Sequence, residues 1–439
     1  MKHYSRHFET TFGTRIQRPW VHILFGARQT GKSTLVRKVL PADAYIINLA
    51  DPAERASYAS HPEELIRMCR AMPNRHEPWT VFIDEAQTVP DIFNAVQVLF
   101  DEDHDRHRFV LCGSSARKLR TSGANLLPGR SIQYSLYPLT TPEYRQIKVS
   151  GLPVGSILAR GSLLPPLQRE PLDQEPPEQE QLDQKQPAAK DAPFPFRSLE
   201  DRLLFGDLPG IASIDQDDDR RDLLKTYVTA HLEEEVRRET QLRDWGVFLR
   251  FLALAAAESG GILNLQALSR ESGLSATTIR SHYQLLQDMF MGFMLPAYSG
   301  SPRKSVLSSP RFFFFDMGIR NAAAGLALTP DAVRSNPGPL FEQWVGIELY
   351  KRLQYLGTGN LSYFRTSGGA EVDFIIEHNG KATPLEVKWT ENPTLKDARH
   401  LISFMKDHPD KTDHGYIVCR APYPLALSDT ITAIPWWAV

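Results

Sequence analysis

The run Gly26-Ala27-Arg28-Gln29-Thr30-Gly31-Lys32-Ser33, followed by Thr34, has the form G-x-x-x-x-G-K-[ST]. These residue types at this spacing bind phosphate. The glycines let the main chain wrap an anion, successive N–H groups point inward, and the start of the following helix adds partial positive charge. On this reading Lys32 reaches the β- and γ-phosphates of a nucleoside triphosphate, and the Ser33 hydroxyl holds Mg2+. The run Val81-Phe82-Ile83-Asp84-Glu85 reads as a buried strand ending in two carboxylates. Asp84 completes the Mg2+ site, directly or through water, and Glu85 acts as general base toward the attacking water. A third run, Phe109 to Ser115, ends in hydroxyls. Ser114 or Ser115 either contacts the γ-phosphate or the water, or caps a helix over 116–119. Arg130, on a Pro-Gly turn, either supplies transition-state charge to a neighbouring copy's γ-phosphate or is a surface residue.

A second set of acids lies near the C-terminus. Asp373 begins one strand and Glu386-Val387-Lys388 ends the next, with a turn at His378-Asn379-Gly380 between them. Such a hairpin brings Asp373, Glu386 and Lys388 to one edge, where they could hold Mg2+ or Mn2+ and orient a water for phosphodiester attack. Glu342, on the preceding helix, is a further candidate ligand. Two other readings remain open: an interaction module without cleavage, and a simple surface ion pair between Glu386 and Lys388.

The third constellation could read nucleic acid. Leu265–Glu271 and Ala276–Gln287 form two helices around Ser272-Gly273-Leu274-Ser275, with Gly273 suited to end the first and Ser275 to cap the second. Leu274, Ile279 and Leu286 face inward. Thr277, Thr278, Arg280, Ser281, His282 and Gln284 face mostly outward, as on a helix presented to a major groove, and Arg303, Lys304 and Arg311 could add phosphate contacts from a wing. Packing against protein is the alternative, because Arg280 is the single cation on the second helix.

Positioning these groups requires three architectures. Strands at Val21–Phe25, Tyr45–Asn48, Thr80–Asp84 and Phe109–Gly113 alternate with helices at Ser33–Val39, Glu63–Ala71 and Ile92–Phe100, which predicts a parallel sheet with crossovers. Between Leu164 and Pro195 the chain turns rich in Pro, Gln and Glu and poor in large apolar residues, as in a mobile linker or insertion. A helical region follows, including one long charged helix over Asp222–Arg243. From Leu340 a helix, strands at Leu361–Arg365, Val372–Glu377, Thr383–Lys388 and Gly415–Cys419, and a helix at Leu395–Lys406 describe a separate α/β module. The expected divisions are 1–150, 151–197, 198–337 (with the winged-helix-like unit at about 247–316) and 338–439.

The chain's 439 residues include 50 Lys and Arg against 52 Asp and Glu, so bulk positive charge does not drive any nucleic-acid binding. Residues 1–150 carry 20 basic against 15 acidic residues, an excess of 5 that suits an anionic ligand. Cys69, Cys112 and Cys419 are too scattered for a zinc cluster or a disulfide framework, and free thiols suit a reducing cytoplasm. The N-terminus has no apolar signal region, and Val247–Ala257, the longest apolar run, is too short to span a bilayer. The expectation is a cytoplasmic protein without membrane contact.

The chain resembles the AAA-type ATPases of the archaeal-ATPase-like clade that carry a C-terminal domain of unknown function. The resemblance rests on Gly26–Ser33, Ile83-Asp84-Glu85-Ala86-Gln87, Cys112-Gly113-Ser114-Ser115-Ala116, Pro128-Gly129-Arg130, Tyr137-Pro138-Leu139, Leu204-Phe205-Gly206-Asp207-Leu208-Pro209 and Glu371-Val372-Asp373-Phe374. It implies ATP rather than GTP, and often an oligomer. The acids Glu342, Asp373 and Glu386 with Lys388 are similar to the core of the restriction-endonuclease-like superfamily. The expected fold is therefore an α/β P-loop NTPase with a parallel sheet, a helical winged-helix-like unit, and a small α/β restriction-endonuclease-like module. The expected function is ATP hydrolysis coupled to DNA binding or remodelling in repair or defence, in a homo-oligomer. An ATP-gated metal-dependent nuclease and an NTP-dependent protein switch are the alternatives.

Overall fold

The computed structural model describes residues 4–115, 127–144, 193–239, 244–299, 309–366 and 368–439. Nearly all of the Pro/Gln/Glu-rich segment lies outside them, as do Arg303 and Lys304, two of the three cations expected on a wing.

Strands β1 (Val21–Phe25), β2 (Tyr45–Asn48), β3 (Trp79–Asp84), β4 (His107–Gly113) and β5 (Ser131–Ser135) form one parallel sheet in the order β2-β3-β4-β1-β5. β1 is buried along its whole length, the signature of a strand covered on both faces. β5 is a strand the sequence pattern does not announce. Its Ser-Ile-Gln-Tyr-Ser lacks an apolar run, and it becomes a strand by pairing with β1 at the sheet edge. Because every strand runs the same way, the residues following β1, β3 and β4 emerge at one edge.

The region after residue 193 is helical at first. Where one long helix over Asp222–Arg243 was expected, a helix runs over Asp217–Thr226, a π-helical turn over Tyr227–His231, and a further helix over Leu232–Glu239. Asp217, Asp218 and Asp219 fill the first turn, where carboxylates meet the positive end of the helix, and this draws the start earlier than expected. Helices Trp245–Ala257, Leu265–Ser272 and Ala276–Asp288 follow, then an antiparallel ribbon of β6 (Gly292–Leu295) and β7 (Arg311–Phe314). Gly273 takes φ 72° to end the second of these helices, and the Ser275 side chain accepts from the Thr278 N–H to start the third.

The C-terminal part begins with helix Pro337–Leu356. Its mixed sheet comprises β8 (Asn360–Arg365), β9 (Glu371–His378), β10 (Lys381–Val387), β11 (Gly415–Cys419), β12 (Leu425–Ala426) and β13 (Ile431–Pro435), in the order β12-β13-β11-β10-β9-β8. Strands β8 to β10 are antiparallel, and β11 joins β10 in parallel. Helix Arg399–Asp407 begins later than the expected Leu395. No helix among the described residues is long and apolar enough to cross a membrane.

Asp207 ties the three regions together. Its carboxylate accepts from Arg202 Nε at 2.7 Å, Tyr144 Oη at 2.8 Å, Trp344 Nε1 at 3.3 Å and Lys351 Nζ at 3.4 Å. Burial alone would raise its pKa, but Arg202 and Lys351 outweigh burial and hold it below the ordinary carboxylate range. Glu348 on the same C-terminal helix accepts from the Thr141 N–H at 2.8 Å and pairs with Lys351 at 3.0 Å. The opposite charges of Asp207, Glu348, Arg202 and Lys351 are gathered together, the condition under which buried charge is tolerated, although Arg202 Nη2 lies 3.8 Å from Glu348 Oε2, too far for a hydrogen bond.

Candidate functional site

The phosphate-type loop follows β1 and leads into helix Lys32–Val39. Gly31 caps that helix at φ 89°, a left-handed conformation open to glycine. Gly26 has φ 156° and lies so close to the Leu136 carbonyl that a Cβ would clash with it. Behind the loop, Arg6 donates to the Thr30 carbonyl at 2.6 Å and the Tyr137 carbonyl at 2.8 Å, and its Nε pairs with Glu143 at 2.6 Å. Arg6 thus buttresses the loop from outside it. No sequence signal marks this, because the partners lie 24 and 137 residues further along the chain.

Lys32 is buried, and its ammonium donates to the Gly26 carbonyl at 2.8 Å and the Ala27 carbonyl at 3.0 Å, so it lies folded over the loop. Ser33 Oγ donates to Asp84 Oδ1 at 2.8 Å across 51 residues of sequence. Burial pushes the Asp84 carboxyl up, the Ser33 hydrogen bond pulls it down and neighbouring Glu85 adds to the rise. Glu85 takes φ 55°, an unusual conformation for a side chain of this size. Its carboxylate accepts from Gln87 Nε2 at 2.6 Å, and the same amide donates to Ser114 Oγ at 3.0 Å. Gln87 Oε1 is buried with no hydrogen-bond partner among the described residues. An orphaned acceptor on the side-chain amide that bridges Glu85 and Ser114 suits a site that takes up a water or ligand donor, since such groups are otherwise costly. The donor set of Ser33 and Asp84 suits Mg2+, a hard cation that binds oxygen and keeps several waters.

Arg130 sits elsewhere. It precedes β5, at the sheet edge opposite the loop, about 16 Å away by the rise of a five-residue strand. Its guanidinium pairs with Asp101 through Nη2–Oδ2 at 3.0 Å. It therefore lies apart from the nucleotide groups of its own chain.

The C-terminal acids converge. Glu342, Asp373, Glu386 and Lys388 line one cavity of about 690 Å³ together with Arg311, Glu371 and His400. Asp373 Oδ2 accepts from the Val387 N–H at 2.8 Å, and Lys388 Nζ donates to Glu386 Oε1 at 2.7 Å. Burial, with repulsion from Asp373, pushes Glu342 to about 7 and Glu386 to about 8, and burial raises Asp373 as well. Arg311 on β7 corrects the expectation of a phosphate contact from a wing: it is buried and pairs with Glu342 at 2.8 Å and also with Glu371, because two carboxylates meet its guanidinium inside the cavity. Among the described residues no group of three His, Cys, Asp or Glu side chains is gathered closely enough to hold a metal ion as it stands. Glu386 Oε2 is nonetheless buried without a hydrogen-bond partner among the described residues.

On helix Ala276–Asp288, Thr277, Arg280, Ser281 and Gln284 are exposed and Thr278 is half-buried. His282 corrects the expectation of an outward residue: it is buried, its ring 5.2 Å from Phe248 and 5.0 Å from Phe251. The step of about 100° from exposed Ser281 to the next residue turns it to the inner face, where two aromatic rings shield it.

Three family models match the chain. Residues 18–145 match an AAA domain, residues 196–329 a domain of unknown function (DUF8612), and residues 337–439 a second domain of unknown function (DUF4143). The N-terminal part is thus an AAA-type ATPase-like domain on a P-loop NTPase-like parallel sheet. The chain is similar to the uncharacterized protein Rv2008c of Mycobacterium tuberculosis, at 25% identity over 96% of this chain and 81% of that protein. It is also similar to the uncharacterized protein MJ1544 of Methanocaldococcus jannaschii, at 21% identity over 86% of this chain and 76% of that protein. An uncharacterized protein of Haemophilus influenzae matches at 21% identity over 81% of this chain and 79% of its own length.

Proposed function

We propose that the chain is a Mg2+-dependent ATPase that couples ATP binding and hydrolysis to the binding or remodelling of DNA. The observation that carries the ATPase reading is the Ser33–Asp84 hydrogen bond at the same sheet edge as Lys32, Glu85 and Ser114. Main-chain N–H groups of residues 26–34 cradle the phosphates, and Lys32 exchanges its loop carbonyls for β- and γ-phosphate oxygens. Ser33 and Asp84 hold the Mg2+, which neutralises charge on the phosphate oxygens. Glu85, oriented by Gln87, takes the proton of the attacking water, and Ser114 hydrogen-bonds that water or the γ-phosphate. In a homo-oligomer, Arg130 leaves Asp101 and reaches the γ-phosphate of the next copy.

The DNA part of the proposal rests on Thr277, Thr278 and Arg280 along helix Ala276–Asp288 and on the β6–β7 ribbon beside it, an order of elements similar to a winged helix. A second reading, a metal-dependent nuclease gated by ATP, is favoured by the convergence of Glu342, Asp373, Glu386 and Lys388 on one cavity. That reading takes a second Mg2+ or an Mn2+ at the orphaned Glu386 oxygen and requires Arg311 to release Glu342.

Purified protein incubated with ATP, Mg2+ or Mn2+, and labelled duplex, forked and single-stranded DNA separates these readings. Lys32→Ala abolishes turnover, and Glu85→Gln abolishes turnover while still binding ATP; normal hydrolysis by either refutes the ATPase site. DNA-stimulated hydrolysis without cleavage supports the remodeller. Cleavage lost in Asp373→Ala supports the nuclease. No DNA binding at low salt leaves an NTP-dependent protein switch.

A further inference from the structure

The segment containing the π-helical turn and helix Leu232–Glu239 lies against the phosphate loop, some 200 residues away in sequence. Three of its residues touch the nucleotide groups. Tyr227 Oη donates to the Arg28 carbonyl at 3.3 Å, and Glu234 pairs with the Arg28 guanidinium at 3.2 Å. Glu235 is buried, with Lys32 and Arg28 as its nearby positive charges, Glu85 as its negative neighbour and a hydrogen bond to Ser114.

Lys32 and Ser114 are the two groups assigned above to the γ-phosphate. A carboxylate and a terminal phosphoryl group are both anions that recruit the same donors, so Ser114 can serve only one of them at a time, and both draw on the nearby Lys32 charge. We propose that Glu235 is the residue that senses the third phosphate, its carboxyl holding that place at Ser114, near Lys32, and competing with ATP until ATP displaces it. The inference rests on the ATPase reading and adds what the middle region contributes to the site. ADP leaves Glu235 seated and the helix on the loop. ATP ejects it, and the movement passes to the helices that follow. Burial pushes the Glu235 carboxyl up to about 7, which lessens the cost of keeping it beside Glu85. The π-helical turn at Tyr227–His231 interrupts regular helical hydrogen bonding immediately before helix Leu232–Glu239, a suitable joint for such a shift.

The test uses the full chain with Mg2+ and displacement of a fluorescent nucleotide by a non-hydrolysable ATP analogue or by ADP. Glu235→Gln keeps the size and removes the charge. Its preference for triphosphate over diphosphate should rise about tenfold, ~1.4 kcal/mol, with ADP affinity changed by less than about twofold. An unchanged or lowered preference overturns the proposal. Hydrogen exchange in the wild-type protein needs no variant: the amides of residues 227–239 should exchange faster with the ATP analogue than with ADP. Equal exchange in the two complexes overturns it too. Both readings fall together if the wild-type protein binds neither nucleotide, or if Lys32→Ala binds ATP as well as the wild type does.

Discussion

Replacing Glu386 by glutamine isolates the electrostatic load in the C-terminal cavity. Glu386 is 5% exposed, and burial with the nearby Asp373 charge moves its pKa from 4.5 to about 8. At ~1.36 kcal/mol per pH unit, that rise amounts to ~5 kcal/mol against the ionised form in the fold. Water entering the cavity and the Lys388 ammonium reduce the expected effect to about 2–5 kcal/mol. The sign follows from the direction. A carboxyl raised on folding contributes stability that is fully present below its unfolded pKa and is lost as pH rises through its folded one. The wild-type protein should therefore lose stability between about pH 4.5 and 8 through this group, and Glu386→Gln should not. Below pH 5 the variant gains nothing, and its weakened bond to Lys388 costs about 1 kcal/mol. Above pH 8 it should melt higher by roughly 5–15 °C, at about 2–4 °C per kcal/mol. Differential scanning calorimetry of both full chains across pH 5–9 reads the gap. Glu342 and Asp373 are present in both proteins, so a gap that stays constant across that range refutes the burden assigned to Glu386. Addition of Mn2+ at pH 8 should narrow the gap if the nuclease reading holds, by stabilising the ionised wild-type cluster.

Three further perturbations probe other joints of the molecule. Gly26→Ala places a methyl group against the Leu136 carbonyl at an unfavourable φ, so it should cost about 1–3 kcal/mol and weaken ATP binding, as thermal melts and nucleotide titration would show. Asp207→Asn leaves Arg202 and Lys351 without their shared carboxylate; an expected loss of about 3–5 kcal/mol is checked by denaturant unfolding, and an unchanged midpoint would contradict the network's role. Arg130→Ala should lower ATP turnover of an assembled oligomer while nucleotide affinity of the dilute monomer stays the same; an undiminished rate removes the role in trans.

The phosphate loop was legible in the sequence because its chemistry is local. Gly31, Lys32 and Ser33 act within one turn of chain, and the apolar runs that became β1, β3 and β4 announce buried strands without reference to anything else. The helix ends at Gly273 and Ser275 are local in the same sense, since a left-handed cap and an N-terminal hydroxyl act on their nearest neighbours. β5 was not legible, because its polar residues become a strand only through β1. His282 was misread as outward because the polarity of a side chain does not say whether aromatic rings await it. Glu235 was hidden in the long charged helix expected over Asp222–Arg243, and no local pattern separates it from Glu233 or Glu234.

Residue types and short spacings determined that this protein carries a phosphate-binding turn, an acid pair after a buried strand, and a carboxylate–lysine set near its end. Tertiary structure decided which distant groups meet: Ser33 with Asp84, Arg6 with Thr30, Glu235 with Ser114, and Glu342 with the hairpin acids. The physical reason is range. Backbone conformation and hydrophobic periodicity act over a few residues, whereas burial, charge pairing and the exclusion of water depend on surfaces that come together only when the whole chain has folded.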